Sequence, residues 1–437
     1  MGSDIRFATT QFEWPISAGQ FDITIPGLGW TPKAFKITVL GGAVNEAAAG
    51  DASFGVGYAT ATDQRACGTL STTGLSTTES RRSQSSSVCA RKVEAGGVLL
   101  SLQAVAPIAD GWTLDALEVS SGVAQCIIEF YGGADLEVEV GTWTPTSAAG
   151  ASTFSGVAFT PNYIEVISVG DNASSNSHGI ISSGAAYDND GTVEQAALLA
   201  CTGRDAASTQ QGSLLLTENS ITGQALWSGI TWERRITGFI ANGWSYNGTG
   251  ATSSDFTYYL AMNTGTTKMA VRVVDSPASA SLDWDVPGIG FKPQGLKLYL
   301  TVFEAAEVEV INFDARSGFF GRSACDNARS SSLACTLEDA ASTTNNSTVS
   351  ALKSAHMLNT DDSVLYDVGQ PVFNSDGWSV PADDINNVAS TVRKWFVVAI
   401  EAPAGKDSSR LCRPVIRSIT RPVVRPVDGG VEHFSEV

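Results

Sequence analysis

Chemistry needs reactive groups in pairs or triads, and this chain of 437 residues is sparing with them. Its three histidines are His178, His356 and His433. None sits in a repeated position or near a metal-ligand spacing, and a Ser-His-Asp site would have to assemble in space, since triads are defined by geometry. There is no G-x-S-x-G elbow, no H-E-x-x-H, no Walker loop, and no G-x-G-x-x-G between a strand and a helix. Close carboxylate pairs do occur: Asp283 with Asp285, Asp361 with Asp362, and Asp383 with Asp384. Two carboxyl groups flanking a glycosidic bond can hydrolyse it. In an acidic chain of short strands, however, such pairs read as solvated loop residues. Asp188-Asn189-Asp190-Gly191 has the opening of a calcium loop but lacks its third oxygen ligand and distal Glu. It is expected to be a turn. No catalytic residue, metal ligand or cofactor is expected.

Binding chemistry is better represented. Trp227, Trp232 and Tyr246 recur nowhere else in the chain, so no shared fold requirement explains them. Aromatic rings of this kind can stack on sugar rings. Arg81 and Arg82 lie in Leu70–Ser87, a Ser/Thr-rich run expected to form a long surface loop, where binding residues concentrate. These five residues are the candidate ligand contacts. Trp112, Trp244 and Trp378 are different, because each follows a glycine at a repeated landmark and is expected in a core. The seven cysteines (Cys67, Cys89, Cys126, Cys201, Cys325, Cys335 and Cys412) include no C-x-x-C. Cys67 with Cys89 and Cys325 with Cys335 could bridge loops, but the odd count favours small buried hydrophobes in a reducing compartment.

The elements that must position these residues are repeated. Phe21–Val39 reads as a strand, a Pro-Gly turn, an aromatic-x-Pro corner and a second strand, with Asp22, Thr24, Lys33, Lys36 and Thr38 alternating with apolar residues as in a half-buried strand. The pattern returns at Leu282–Val302 and, more weakly, at Phe154–Val169. The corner prolines are Pro32, Pro161 and Pro293, and the closing pairs are Gly111-Trp112, Gly243-Trp244 and Gly377-Trp378. Apolar strands at Ala124–Tyr131, Asp255–Met262 and Val392–Glu401 end each copy. Landmarks in one order three times define an internal repeat of about 130 residues.

The expected fold is therefore all-β: three tandem β-sandwich, jelly-roll-like modules at 1–141, 142–267 and 268–402. Glycine-rich turns between short Val/Ile/Phe/Tyr runs argue the same way. Asp135–Val140 and Ala270–Asp275 enter modules two and three directly as strands, so the modules are expected to pack rigidly. A net charge of −18 repels phosphate backbones and argues against nucleic-acid binding. Met1–Arg6 does not read as a secretory leader, and there is no apolar run of about 18 residues that would predict a membrane-spanning helix.

Residues 403–437 differ. Arg410, Arg413, Arg417, Arg421 and Arg425 alternate with Pro414, Pro422 and Pro426. Proline at that density excludes a long helix. An extended basic arm is expected, ordering against an acidic surface of its own chain or of another subunit.

The cassettes Gly29-Trp30-Thr31-Pro32-Lys33-Ala34-Phe35-Lys36-Ile37 and Gly290-Phe291-Lys292-Pro293-Gln294-Gly295-Leu296-Lys297-Leu298, with their closing Asp-Gly-Trp, resemble modules in structural proteins of tailed bacteriophages and gene-transfer-agent particles. The resemblance extends to about Ala402 and carries no catalytic residue; module two departs from it, with Ala158-Phe159 in place of Gly-aromatic. It implies a virion component of fibre, spike or tail-associated type, assembled in a bacterial cytoplasm. Its partners would be other virion proteins and itself, often as a trimer, with a host-surface glycan as receptor. A particle-borne or secreted glycan-binding or glycan-degrading protein is the alternative.

Overall fold

The computed structural model describes residues 5–402, except 42–48, 51, 73–78, 95–98, 120–123, 171–178, 204–212, 227–228, 251–255, 278, 280–281, 300–305, 308–309, 312–323, 326–331, 337–345, 351–354, 359–363, 370, 383–384 and 388–391. The described chain is all-β and its sheets are antiparallel. They come in pairs. The first large sheet has the order Arg6–Glu13, Ala124–Gly132, Ala34–Gly41, Ala52–Thr60, Gln64–Ser71, Ser80–Ser85. Its partner has the order Gly19–Thr24, Gly111–Ala116, Leu99–Ile108, Ala90–Val93. The second large sheet begins Glu137–Trp143, Thr257–Asn263, Tyr163–Ser168, Gly179–Asn189, Thr192–Gly203, and pairs with Gly150–Ser155, Gly243–Thr249, Gly229–Ile240, Thr222–Leu226. The third runs Met269–Asp275, Lys394–Glu401, Pro293–Tyr299, Ala324–Cys325, facing Trp284–Val286, Gly377–Val380, Val372–Asn374. Where strands are described, the three pairs share one strand order.

The repeated cassette is the crossing point. Its first strand lies in the small sheet and its second in the large one, so the Pro-Gly turn and the proline corner carry the chain across the core. Within each small sheet, the glycine before the repeated tryptophan lies tight against the backbone of the cassette's first strand. A Cβ on Gly111 would sit 1.9 Å from the Ile23 carbonyl oxygen. On Gly243 it would sit 1.9 Å from that of Phe154, and on Gly377 2.0 Å from that of Val286. Only glycine fits there. Each tryptophan then fills the space between its two sheets: Trp112, Trp244 and Trp378 have no exposed surface.

Strand alternation sends side chains to two different cores. Phe35, Ile37 and Val39 face the small sheet of the first pair. Ile164 and Val166 do so in the second, and Leu296 and Leu298 in the third. The opposite faces do not meet solvent. Ala34, Leu40, Tyr163, Ile167 and Tyr299 join one large cluster with Ile127, Leu260 and Val398 from the closing strands. The expectation of a half-buried strand is corrected here: Lys36 and Thr38 are each 1% exposed, because the outer face of each large sheet is covered by the other two pairs.

The coverage is cyclic. Glu137–Trp143 packs on Ala52–Thr60 and Gln64–Ser71, and Met269–Asp275 on Gly179–Asn189 and Thr192–Gly203. Arg6–Glu13 packs on Pro293–Tyr299 and Ala324–Cys325. The opening strand of each pair thus lies on the central strands of the preceding one, and the first lies on the third. The residue after each corner proline fastens a junction. Lys33 Nζ donates to the Ala134 and Leu136 carbonyls at 3.1 and 2.8 Å. Asn162 Nδ2 donates to Thr264 Oγ1 at 3.0 Å, and Thr264 N donates back to Asn162 Oδ1 at 2.9 Å. Gln294 Nε2 donates to the Glu401 carbonyl at 2.7 Å and to that of Ile5 at 3.3 Å, closing the circle.

Candidate functional site

The faces turned towards one another carry the only dense cluster of buried charge among the described residues. Lys36, Glu165 and Lys297 each stand four residues after a corner proline, on the large-sheet face that points away from their own sandwich core. Their side chains are 1%, 0% and 0% exposed. Lys36 Nζ donates to Glu165 Oε1 and, at 2.7 Å, to the Tyr299 hydroxyl. Lys297 Nζ donates to Glu165 Oε2 at 2.5 Å. Tyr299 and Tyr163 hydroxyls complete the Glu165 carboxylate at 3.0 and 3.3 Å. A second acid, Glu129, is fully buried 3.7 Å from Lys297 and accepts from the Tyr131 hydroxyl at 2.9 Å.

Two ammonium groups thus face two carboxylates, and four phenols wrap them. Lys297 Nζ lies 5.0 Å from the Tyr131 ring centre and 5.7 Å from that of Tyr163. Lys36 Nζ lies 5.3 Å from Tyr299 and 6.0 Å from Tyr58. Burial works against the charged form of Lys297, but Tyr131, Tyr163, Glu129 and Tyr299 outweigh it and hold the ammonium well above its ordinary range. Burial pushes the Tyr58, Tyr131 and Tyr163 phenols up. A carboxylate that accepts from two lysines and two phenols has no lone pair turned to a substrate. The cluster fastens three sheets; it is not built to turn over.

No family model matches the chain, no curated protein matches it, and no solved structure matches it. Its function must be argued from its own residues.

The sequence-derived candidates fare unevenly. Trp232 and Tyr246 are 1% and 2% exposed, so neither can be a sugar platform. Trp232 lies beneath the buried Arg234 guanidinium, 5.2 Å from its ring centre. Tyr246 packs edge-on against Trp143 at 4.9 Å. Their failure to recur misled, because a core residue can be particular to one copy. Leu70–Ser87 is not a long surface loop either. Its ends belong to the paired strands Gln64–Ser71 and Ser80–Ser85. Arg81 is ion-paired with Glu79 at 2.6 Å, and Arg82 is 6% exposed. Trp227 and the arm residues Arg410, Arg413, Arg417, Arg421 and Arg425 lie outside the described residues.

Asp188–Gly191 is a tight hairpin turn, with Asp190 and Gly191 at positive φ and Asp188 Oδ1 accepting from Gly191 N at 2.7 Å. Asp283 Oδ1 caps the Ala382 amide at 2.9 Å. Cys67, Cys89 and Cys126 are buried free thiols, so the bridge considered between Cys67 and Cys89 does not form. Among the described residues no group of three or more His, Cys, Asp or Glu is placed to hold a metal ion.

Proposed function

We propose that the chain is a structural protein of a phage-like particle: three tandem β-sandwich modules, divided near residues 141 and 267, fused into one rigid body and followed by a basic assembly arm. The observation that carries this reading is the buried ionic centre. Its charged groups, Lys36, Glu165, Lys297 and Glu129, all point at one another, and the shared apolar cluster around them joins all three sheet pairs. A carrier of mechanical or packing load gains from such joints, since relative motion of the modules would uncover paired charge in a dry core. The acidic balance suits a body whose arm is basic, because the five arginines of 410–425 would find an oppositely charged surface on a neighbouring copy or on another particle protein. Host-surface attachment is a further role consistent with this class, through loops outside the two core types.

The test is localisation. Particles banded on a density gradient from a strain carrying the gene should contain the chain at a fixed ratio to the major particle protein. A version ending at Ala402 should fold and be missing from the band. Recovery of the intact chain only in the soluble fraction would overturn the particle reading. Incorporation of the shortened chain would overturn the role of the arm alone.

A further inference from the structure

We infer that Lys36, Glu165 and Lys297 form a recognition code, one carboxylate between two ammonium groups, by which the inner faces of the three sheet pairs select one another and a like face is refused. The inference rests on equivalent positions and holds whether or not the chain belongs to a particle. All three residues occupy the same place in the repeat, the fourth position after the corner proline, and all three side chains meet at the centre. Three identical sheet pairs arranged this way would bring three lysines or three glutamates together in a core without solvent, where like charges are neither paired nor screened.

The chain avoids this by differing at this place. Glu165 gives one oxygen to Lys36 and the other to Lys297. The fourth charge is set by the same logic. Glu129 stands directly opposite Lys36 in the sheet register, and its counterparts opposite Glu165 and Lys297 are Leu260 and Val398. The balancing acid is supplied once, so the centre totals two lysines and two glutamates. The inner face of the second pair is thus an interaction surface that fits only partners bringing an ammonium group; a second copy of that face would set carboxylate on carboxylate.

Charge permutation in the full-length protein tests this. Glu165→Lys puts three lysines at the centre, and Lys36→Glu combined with Glu165→Lys moves the carboxylate from the second position to the first while keeping the total. Glu129 stands opposite Lys36 in the register and 3.7 Å from Lys297, so both variants are made and compared in the Glu129→Gln protein, where the new Glu at position 36 meets no second carboxylate. Thermal unfolding and solution mass by light scattering are the readouts. Glu165→Lys should lower Tm by roughly 5–10 °C, or leave the chain swollen, swapped between copies or insoluble. The double variant should recover at least half of the lost Tm and the parental mass. A double variant no better than Glu165→Lys, or equally insoluble, would show that placement rather than the charge code matters and would overturn the inference. So would a Glu165→Lys protein with unchanged Tm and mass.

Discussion

The molecule has two kinds of core, and they follow opposite rules. Inside each sheet pair the three copies keep the same solution: a glycine that lets backbones touch, then a tryptophan with no exposed surface, at Trp112, Trp244 and Trp378. Where the pairs meet one another the copies diverge, to Lys36, Glu165 and Lys297 at one equivalent place. Apolar packing within a pair is indifferent to what the other pairs contain, so repetition costs nothing there. A charged centre shared by three faces cannot be repetitive, because like charges at one point repel without water to screen them. Divergence at that place is what lets three similar units close on one another.

The most damaging way to break the first core is Trp244→Ala. Trp244 packs edge-on against Trp143 at 5.5 Å and Tyr259 at 5.3 Å, with Phe154 tilted at 4.6 Å. Truncation should cost about 3–5 kcal/mol in urea unfolding. A loss below about 0.5 kcal/mol would mean the ring is not core. Gly111→Ala comes next at roughly 1–3 kcal/mol, since the added carbon can be accommodated only by moving the Ile23 backbone. Gly243→Ala should match it, and a large gap between the two would show that the repeat is not energetically equivalent.

The ionic centre should respond to alkali. Lys297 is held above its ordinary value, so its contribution is complete below about pH 10.5 and is lost as pH rises through the raised value. The buried phenols of Tyr58, Tyr131 and Tyr163 are likewise held neutral, and their contribution also fades above about pH 10. Both act in one direction. Tm should be flat with respect to these groups from neutrality to about pH 10 and fall beyond it, with tyrosinate absorbance rising only as the protein unfolds. Tyrosinate appearing in the folded protein for all of its tyrosines would contradict this burial. The smallest effect is expected from Tyr58→Phe. The Tyr58 hydroxyl has no hydrogen-bond partner among the described residues, and Phe keeps a ring in place near Lys36. The change should be under about 1 kcal/mol.

Much of the fold was legible before any coordinates. The strands expected at Ala124–Tyr131, Asp255–Met262, Ala270–Asp275 and Val392–Glu401 are strands to within a residue or two. The repeated tryptophans were expected in cores and are there. The candidate site was not legible. Lys36 and Lys297 look like ordinary polar positions of strands with one wet face, and Glu165 sits in the weakest copy of the cassette. Their common distance from the corner proline was available as a signal, but polar residues in alternation are far more often solvated. Trp232 and Tyr246 misled for the complementary reason: a residue's uniqueness in the sequence says nothing about which side of a sheet it occupies.

The sequence by itself determined the local chemistry. Period-two alternation made strands, Pro-Gly and Asn-Gly or Asp-Gly steps made turns, and glycine before tryptophan marked where neighbouring strands of one small sheet crowd together, all through interactions between residues close in the chain or in one repeat. Tertiary structure alone decided which faces are wet. The outer face of each large sheet becomes interior only because the opening strand of another pair lies across it, from Glu137–Trp143 onto the first pair round to Arg6–Glu13 onto the third. That long-range closure turns three unremarkable polar side chains into one buried, balanced centre, since a charge takes its energetic meaning from its dielectric surroundings and its neighbours rather than from its place in the chain.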